Sequence, residues 1–208
     1  MASRVPSRSS RRRPQQRRAR QTVDAILDAV VRILKREGVG AITTNRIAEV
    51  AGVSIGSIYQ YFPDKHAIFA ALHRRHIEEI DRVVESTLVK HAASSLEGLV
   101  RAMVTAMVDI HVSDPELYHL LLAQVPHRAD GTQDFAVRLH GAFLLAISAK
   151  AGELRRRRNL DTVVFVVTQM IEALSHGAAL RRPPGLSLAE AKEEMVRAVM
   201  AYLHAWSK

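Results

Sequence analysis

The stretch from Ala41 to Lys65 constrains this chain more than any other. It reads as two short helices joined by a tight turn. Thr44 precedes the first apolar-periodic residues, where its hydroxyl can cap free backbone N–H groups. Ile47 and Ala48 face inward, and the small Ala48 allows another helix to approach closely. Gly52 supplies the left-handed backbone position that stops the first helix, and Val53 fills the gap between the two. Ser54 caps the second helix, which runs to about Tyr61. It stops at Phe62-Pro63, because a residue before proline is pushed out of the helical region. Helix, glycine turn, helix is the helix-turn-helix pattern of DNA-binding proteins. An ordinary helical hairpin with a polar face is the competing reading.

The outward positions of the second helix carry Ile55, Gly56, Ser57, Tyr59, Gln60 and Tyr61. That face has hydroxyls, an amide and a methyl-bearing side chain, and it has no carboxylate to repel phosphates. Such groups suit phosphates and base edges, and Gly56 lets the backbone approach a groove wall.

Charge points the same way. Residues 1–65 hold thirteen Lys+Arg against five Asp+Glu, whereas residues 66–208 hold seventeen against sixteen. The excess therefore sits beside the helix-turn-helix, as the electrostatic footprint of a polyanion partner. A membrane surface is the other polyanion, but the basic arm has no apolar face to insert. Residues 1–20 hold eight arginines and no acidic residue. They read as an arm that is disordered when free. Its Arg11, Arg12, Arg13, Arg17 and Arg18 are suited to phosphates or a minor groove. The absence of cysteine excludes disulfides and thiolate metal sites and fits a cytoplasmic location. Neither a signal region nor an apolar run long enough to span a bilayer is evident.

Ahead of the turn, Val23, Ile26, Leu27, Val30, Val31 and Leu34 form an amphipathic stripe on a helix from about Arg17 to Glu37, which Gly38 ends. With Ile42, Ile47, Val50, Val53, Ile58 and Phe62 it makes a three-helix core. Across residues 20–72 the chain resembles the DNA-binding domain of the TetR family of transcriptional repressors. Ala29, Gly38, Thr43, Thr44, Ile47, Ala48, Ala51, Gly52, Val53, Ser54, Gly56, Ile58, Tyr59, Tyr61, Phe62 and Lys65 carry the resemblance. It implies that Thr43, Thr44, Tyr61 and Lys65 hold the DNA backbone. It also places Asn45, Ile55, Gly56, Ser57, Tyr59 and Gln60 in or beside the major groove, with Ser54 at the head of the reading helix. Lys65 falls in the first turn of the next helix, where free N–H groups also favour phosphate.

The rest of the chain reads as helices throughout. Asp64 caps a long helix reaching about Lys90. His73 and His76 on it have a spacing a metal could use, but no nearby partner ligand is evident and no metal or other cofactor is expected. Ser94 and Glu97 form a capping box opening a fifth helix, and Asp114-Pro115 opens a sixth. Pro126 and Gly131 break the chain. A seventh helix runs from about Gln133 to Leu154, followed by the Arg155–Arg158 run as a solvated end. An eighth spans about 161–180, although Val163–Val167 has strand propensity. Ser187 and Glu190 form a second capping box, opening a ninth helix at about 187–205, with Trp206 beyond it. The last two helices fit a dimer interface with their copies, or simply finish the monomer core.

The expected fold is all-α, with about nine helices. The expected organisation is a basic arm at 1–19, a helix-turn-helix domain at 20–66 and a helical effector-binding and dimerisation domain at 67–208. The resemblance implies a homodimeric, ligand-responsive regulator, a repressor, bound to a pseudo-palindromic double-stranded operator. A small-molecule effector would enter the core of the second domain, where Met103, Met107, His111, Tyr118, His140, Phe143 and Gln169 are candidate pocket residues. Met and Phe at helical spacing also serve as plain core. A ligand-independent or architectural DNA-binding protein is the alternative. Without a nucleophile elbow, a phosphate-binding glycine loop or a paired metal motif, an enzyme is not expected.

Overall fold

Thr43, with extended backbone, accepts a hydrogen bond from Arg46 N and starts the helix that leads into the turn. The computed structural model describes residues 9–125, 132–153 and 159–205, without the side chains of 9–15, 132, 133 and 151. The readings placed on Arg11, Arg12, Arg13, Pro126, Gly131, Arg155–Arg158 and Trp206 fall outside those limits. The described residues form nine helices and no strand. They are α1 (Ser9–Glu37), α2 (Thr44–Ala51), α3 (Ile55–Tyr61), α4 (Lys65–Lys90), α5 (Leu96–Ser113), α6 (Pro115–Gln124), α7 (Thr132–Ser148), α8 (Leu160–Leu180) and α9 (Leu188–His204). Val163–Val167 is helical, because the apolar run continues at helical spacing through Ile171 and Leu174. The chain divides into two compact units, residues 1–72 and 73–208, with the boundary inside α4.

In the first unit, α1 packs on α2, and α2 on α3. Ile26, Val30 and Ile33 of α1 are buried with Ile47 of α2, Ile58 of α3, and Phe69 and Leu72 of α4. Three sequence expectations need correction. First, α1 begins at Ser9 rather than about Arg17, so the backbone of 9–19 is helical where a disordered arm was expected. Arginine, glutamine and alanine are good helix formers, and the packed helix beyond supplies the costly nucleus. Second, the cap of α2 is Thr43, not Thr44. The carbonyl of Thr43 takes the first helical hydrogen bond, from Ile47 N at 2.9 Å, which leaves Thr44 inside the helix. Third, α8 is long and apolar enough, by length and composition, to cross a bilayer. Its polar residues are spaced so that no uninterrupted run reveals this.

The second unit is centred on α5 and α8, which pack on each other; α9 packs on both and α7 on α8. Val100, Met103, Val104 and Val108 of α5 are buried with Val164, Val167 and Ile171 of α8 and Met195, Val196 and Val199 of α9. α8 also presents Phe165 and Leu174 outward, 58% and 40% exposed.

The start of α5 differs from the expected capping box. Ser95, not Ser94, caps the helix and accepts from Gly98 N. Ser94 instead pairs with His91 Nδ1, and Glu97 with Arg101. The second capping carboxylate comes from Glu153, whose Oε2 accepts from Leu96 N at 2.8 Å. Glu153 lies in a short 3₁₀ turn, Ala151–Glu153, that replaces the expected end of the seventh helix. Lys150, 8% exposed, donates to the carbonyls of Ala92 and Ser94. At α9 the expected box is present: Ser187 accepts from Glu190 N, and the Glu190 carboxylate accepts from Ser187 N.

Candidate nucleic-acid interface and ligand cavity

Gly52 closes α2 with φ +69°, and its N–H reaches the carbonyls of Ala48 and Glu49. Ser54 then opens α3, its hydroxyl accepting from Ser57 N and lying 2.8 Å from the Ser57 hydroxyl. Phe62 leaves the helical region before Pro63 and ends α3. Ile58 and Phe62 anchor the helix inward at 1% and 6% exposure. The opposite side is presented outward: Ile55 is 44% and Tyr59 56% exposed, and Gly56 and Gln60 are exposed beside them. No Asp or Glu lies on α3. A Cβ built on Gly56 would meet only Ser54 Oγ, at 3.8 Å, so internal packing does not require glycine there.

Thr43 and Asn45 are exposed at the start of α2, with Thr44 half-buried. Tyr61 is half-buried at the end of α3. Lys65 is exposed in the first turn of α4, its ammonium 5.7 Å from the centre of the Phe69 ring. Asp64 caps that helix, its carboxylate accepting from Ala67 N at 2.8 Å. The Ser54 and Ser57 hydroxyls are engaged with each other. Arg46, by contrast, is committed to protein: it pairs with Glu37 at 2.8 Å and Glu49 at 2.6 Å.

The second unit holds a cavity of about 350 Å³ between α4, α5, α6, α7 and α8. Of the candidates from sequence, Met107, His111, Tyr118, His140, Phe143 and Gln169 line it. Met103 does not: it is 0% exposed inside the α5–α8–α9 core. Sequence reasoning missed His76 and His176 as lining residues, because they come from helices far apart in the chain.

Four rings from four helices meet at one end. His111 of α5 and Tyr118 of α6 stand 4.7 Å apart, nearly perpendicular. His176 of α8 lies 4.8 Å from each, and His76 of α4 is 6.1 Å from both. The Nδ1 of His111 lies 2.6 Å from the Met107 carbonyl. A carbonyl only accepts, so Nδ1 carries the proton and neutral His111 keeps a lone pair on Nε2. His76 Nε2 and Tyr118 Oη are buried with no hydrogen-bond partner among the described residues.

Burial lowers His76 to a pKa of about 4, helped by His111 and His73 and opposed by Asp114. Burial also lowers His111, against the Met107 carbonyl. It raises Tyr118, with the Glu172 charge adding to the rise. Near neutral pH, His76, His111 and Tyr118 are therefore uncharged. Among the described residues no group of three or more His, Cys, Asp or Glu side chains is placed to hold a metal.

Residues 26–72 match the family described as "Bacterial regulatory proteins, tetR family", and residues 95–203 match "Tetracyclin repressor-like, C-terminal domain". The nucleoid occlusion factor SlmA of Haemophilus ducreyi is 29% identical over 120 residues, 56% of this chain and 53% of that protein. The chain thus spans about half the length of the curated relatives it matches. A protein of unknown function from Rhodococcus sp. RHA1 has a similar fold, with a TM-score of 0.70, 17% identity and coverage of 90% of this chain and 96% of that one. The transcriptional regulator FadR from Bacillus subtilis, solved in complex with stearoyl-CoA, gives a TM-score of 0.63, 15% identity and coverage of 86% and 98%. With both units matched in order along one chain, the protein belongs to the TetR family of bacterial transcriptional regulators, DNA-binding proteins of the helix-turn-helix type.

Proposed function

We propose that the protein is a homodimeric repressor, acting in the cytoplasm, that binds a pseudo-palindromic operator and leaves it when a small molecule fills the second unit's cavity. The observation that carries this reading is the outward face of α3. Ile55 and Tyr59 are large, exposed and free of neighbouring carboxylates on their helix. Adjacent on one carboxylate-free face of a short helix, they suit contact with base edges and the thymine methyl group. Two copies would set α3 into successive major grooves, roughly 34–36 Å apart or somewhat more. Thr43, Thr44, Tyr61 and Lys65 would hold phosphates, with Ser54 and Ser57 at the helix head. Asn45, Ile55, Gly56, Tyr59 and Gln60 would face base edges.

A dimer would form through α8 and α9. Phe165 and Leu174 on α8 supply apolar surface that the monomer leaves exposed. The buried stripe of α9 is already used inside the unit, so α8 would carry more of the contact. Effector release requires that the ligand bind one dimer geometry better than the other. A cavity lined by apolar side chains and a few polar groups is the kind of site small molecules occupy. That FadR, a relative in fold, was solved with stearoyl-CoA supports a ligand here.

Selection of bound fragments from random DNA tests the reading. The expected product is an enriched inverted repeat. Recovery of sequences with no common motif would overturn the operator assignment.

A further inference from the structure

The cavity's polar groups narrow its ligand, taking as given the proposal that a small molecule enters it. Its walls are mostly apolar: Ile80, Met107, Leu121, Phe135, Phe143 and Ile171 all face it. Among the described residues no lysine or arginine lines it, and the carboxylate that does, Glu172, is exposed. At the buried end, Tyr118 is 5% exposed, and its hydroxyl has a proton to donate and nothing among the described residues to receive it. His76 Nε2 is buried beside it, likewise without a partner. Buried polar atoms are nearly always paired, because an unpaired one forfeits its hydration. Both residues line the cavity, so these two atoms are the groups a ligand's polar atom would satisfy.

We infer that the cavity takes an uncharged, mainly apolar small molecule carrying one oxygen function, a ketone, alcohol or phenol, which Tyr118 and His76 hydrogen-bond at the buried end. Among the described residues an anion would meet no lysine or arginine, and Glu172 lies in the same wall. A cation would meet Glu172 only at the exposed wall, and at the deep end imidazoles held neutral by burial. At about 350 Å³ the space is roughly twice the ~150 Å³ cavity that admits benzene. A compound on the scale of naphthalene therefore fits.

A matched probe series tests the inference on the full chain. The probes are 2-acetylnaphthalene, 2-naphthol, 2-ethylnaphthalene, 2-naphthoate and 2-naphthylmethylammonium. Dissociation constants are measured by titration calorimetry near neutral pH, with thermal shifts alongside. The ketone and the naphthol should bind best, about tenfold more tightly than the hydrocarbon, as expected for a buried hydrogen bond. Tyr118→Phe should reduce that advantage and leave hydrocarbon binding unchanged. Several results overturn the inference: tightest binding by the anion or the cation, equal binding of ketone and hydrocarbon, an unaltered preference in Tyr118→Phe, or no binding by any probe. Selection on random DNA is independent of all these outcomes. A chain that enriches an inverted repeat but ignores the probes loses only this inference. One that binds the ketone but selects no DNA motif loses only the operator assignment.

Discussion

The carboxylate of Glu37, the last residue of α1, accepts from the guanidinium of Arg46 on α2, the single Nε–H shared between its two oxygens and Nη2 donating to one of them, at 2.8 to 3.2 Å. Arg46 also reaches Glu49. One side chain thus ties the end of the first helix to the first turn of the second. The hydrogen bonds from Arg46 are the main reason the Glu37 carboxyl sits below its ordinary range. A depressed carboxyl stabilises the fold above its unfolded pKa, about 4.3, and that contribution fades as pH falls through the folded value. Glu37→Gln should therefore melt below the parent at neutral pH and converge with it in acid. The pair is exposed, so the difference should be small. Melting curves at pH 7 and pH 3.5 check this; a gap that persists or widens in acid contradicts it.

Gly52→Ala should destabilise the first unit by about 1–2 kcal/mol, the cost of a left-handed backbone in a residue with a Cβ. Nothing lies within 4 Å of the added carbon, so no clash contributes. Chemical denaturation measures the loss, and a neutral substitution would mean that the turn relaxes to another conformation.

Tyr59→Ala and Lys65→Ala should each weaken operator binding without unfolding the protein, since both side chains are exposed. Their effects should differ in kind. Losing Tyr59 should reduce the preference for operator over random DNA. Losing Lys65 should weaken binding to both and reduce the slope of log K against log salt by roughly one. Gel-shift titrations at several salt concentrations separate the two. Unchanged binding by both variants would refute the assignment of this face to DNA.

His76 carries the opposite sense of titration from a histidine that gains an acidic partner. Its pKa falls from 6.5 unfolded to about 4 folded. The native state therefore binds fewer protons between those values, and stability falls as pH drops from about 6.5 to 4. His76→Leu should flatten that part of the profile while leaving the slope below pH 4 in place. Unfolding free energies at half-unit pH steps decide the matter; superimposable profiles would mean that His76 titrates normally.

The turn between α2 and α3 was legible because its determinants are local. Gly52, Ser54 and the Phe62-Pro63 pair each act on their own backbone, and each has the role read from its residue type. Two adjacent threonines defeated the same reasoning. Thr43 and Thr44 have identical cap chemistry, and only the register of the first helical hydrogen bond separates them. The cavity lies at the other extreme. Met103 and Met107 share one stripe of α5, yet only Met107 reaches the space between helices. His76, His111, Tyr118 and His176 become neighbours through the packing of four helices, which no spacing along the chain encodes.

Glu153 completes the N-terminus of α5 from 57 residues further along the chain. During synthesis, α5 therefore emerges with one of its end donors unmet by protein until that late carboxylate has left the ribosome. A chain cut before Lys150 would lack both the anion on Leu96 N and the ammonium that gathers the Ala92 and Ser94 carbonyls. The corner that seats this central helix is thus a checkpoint on completeness: it closes only once the polypeptide has been built well past it.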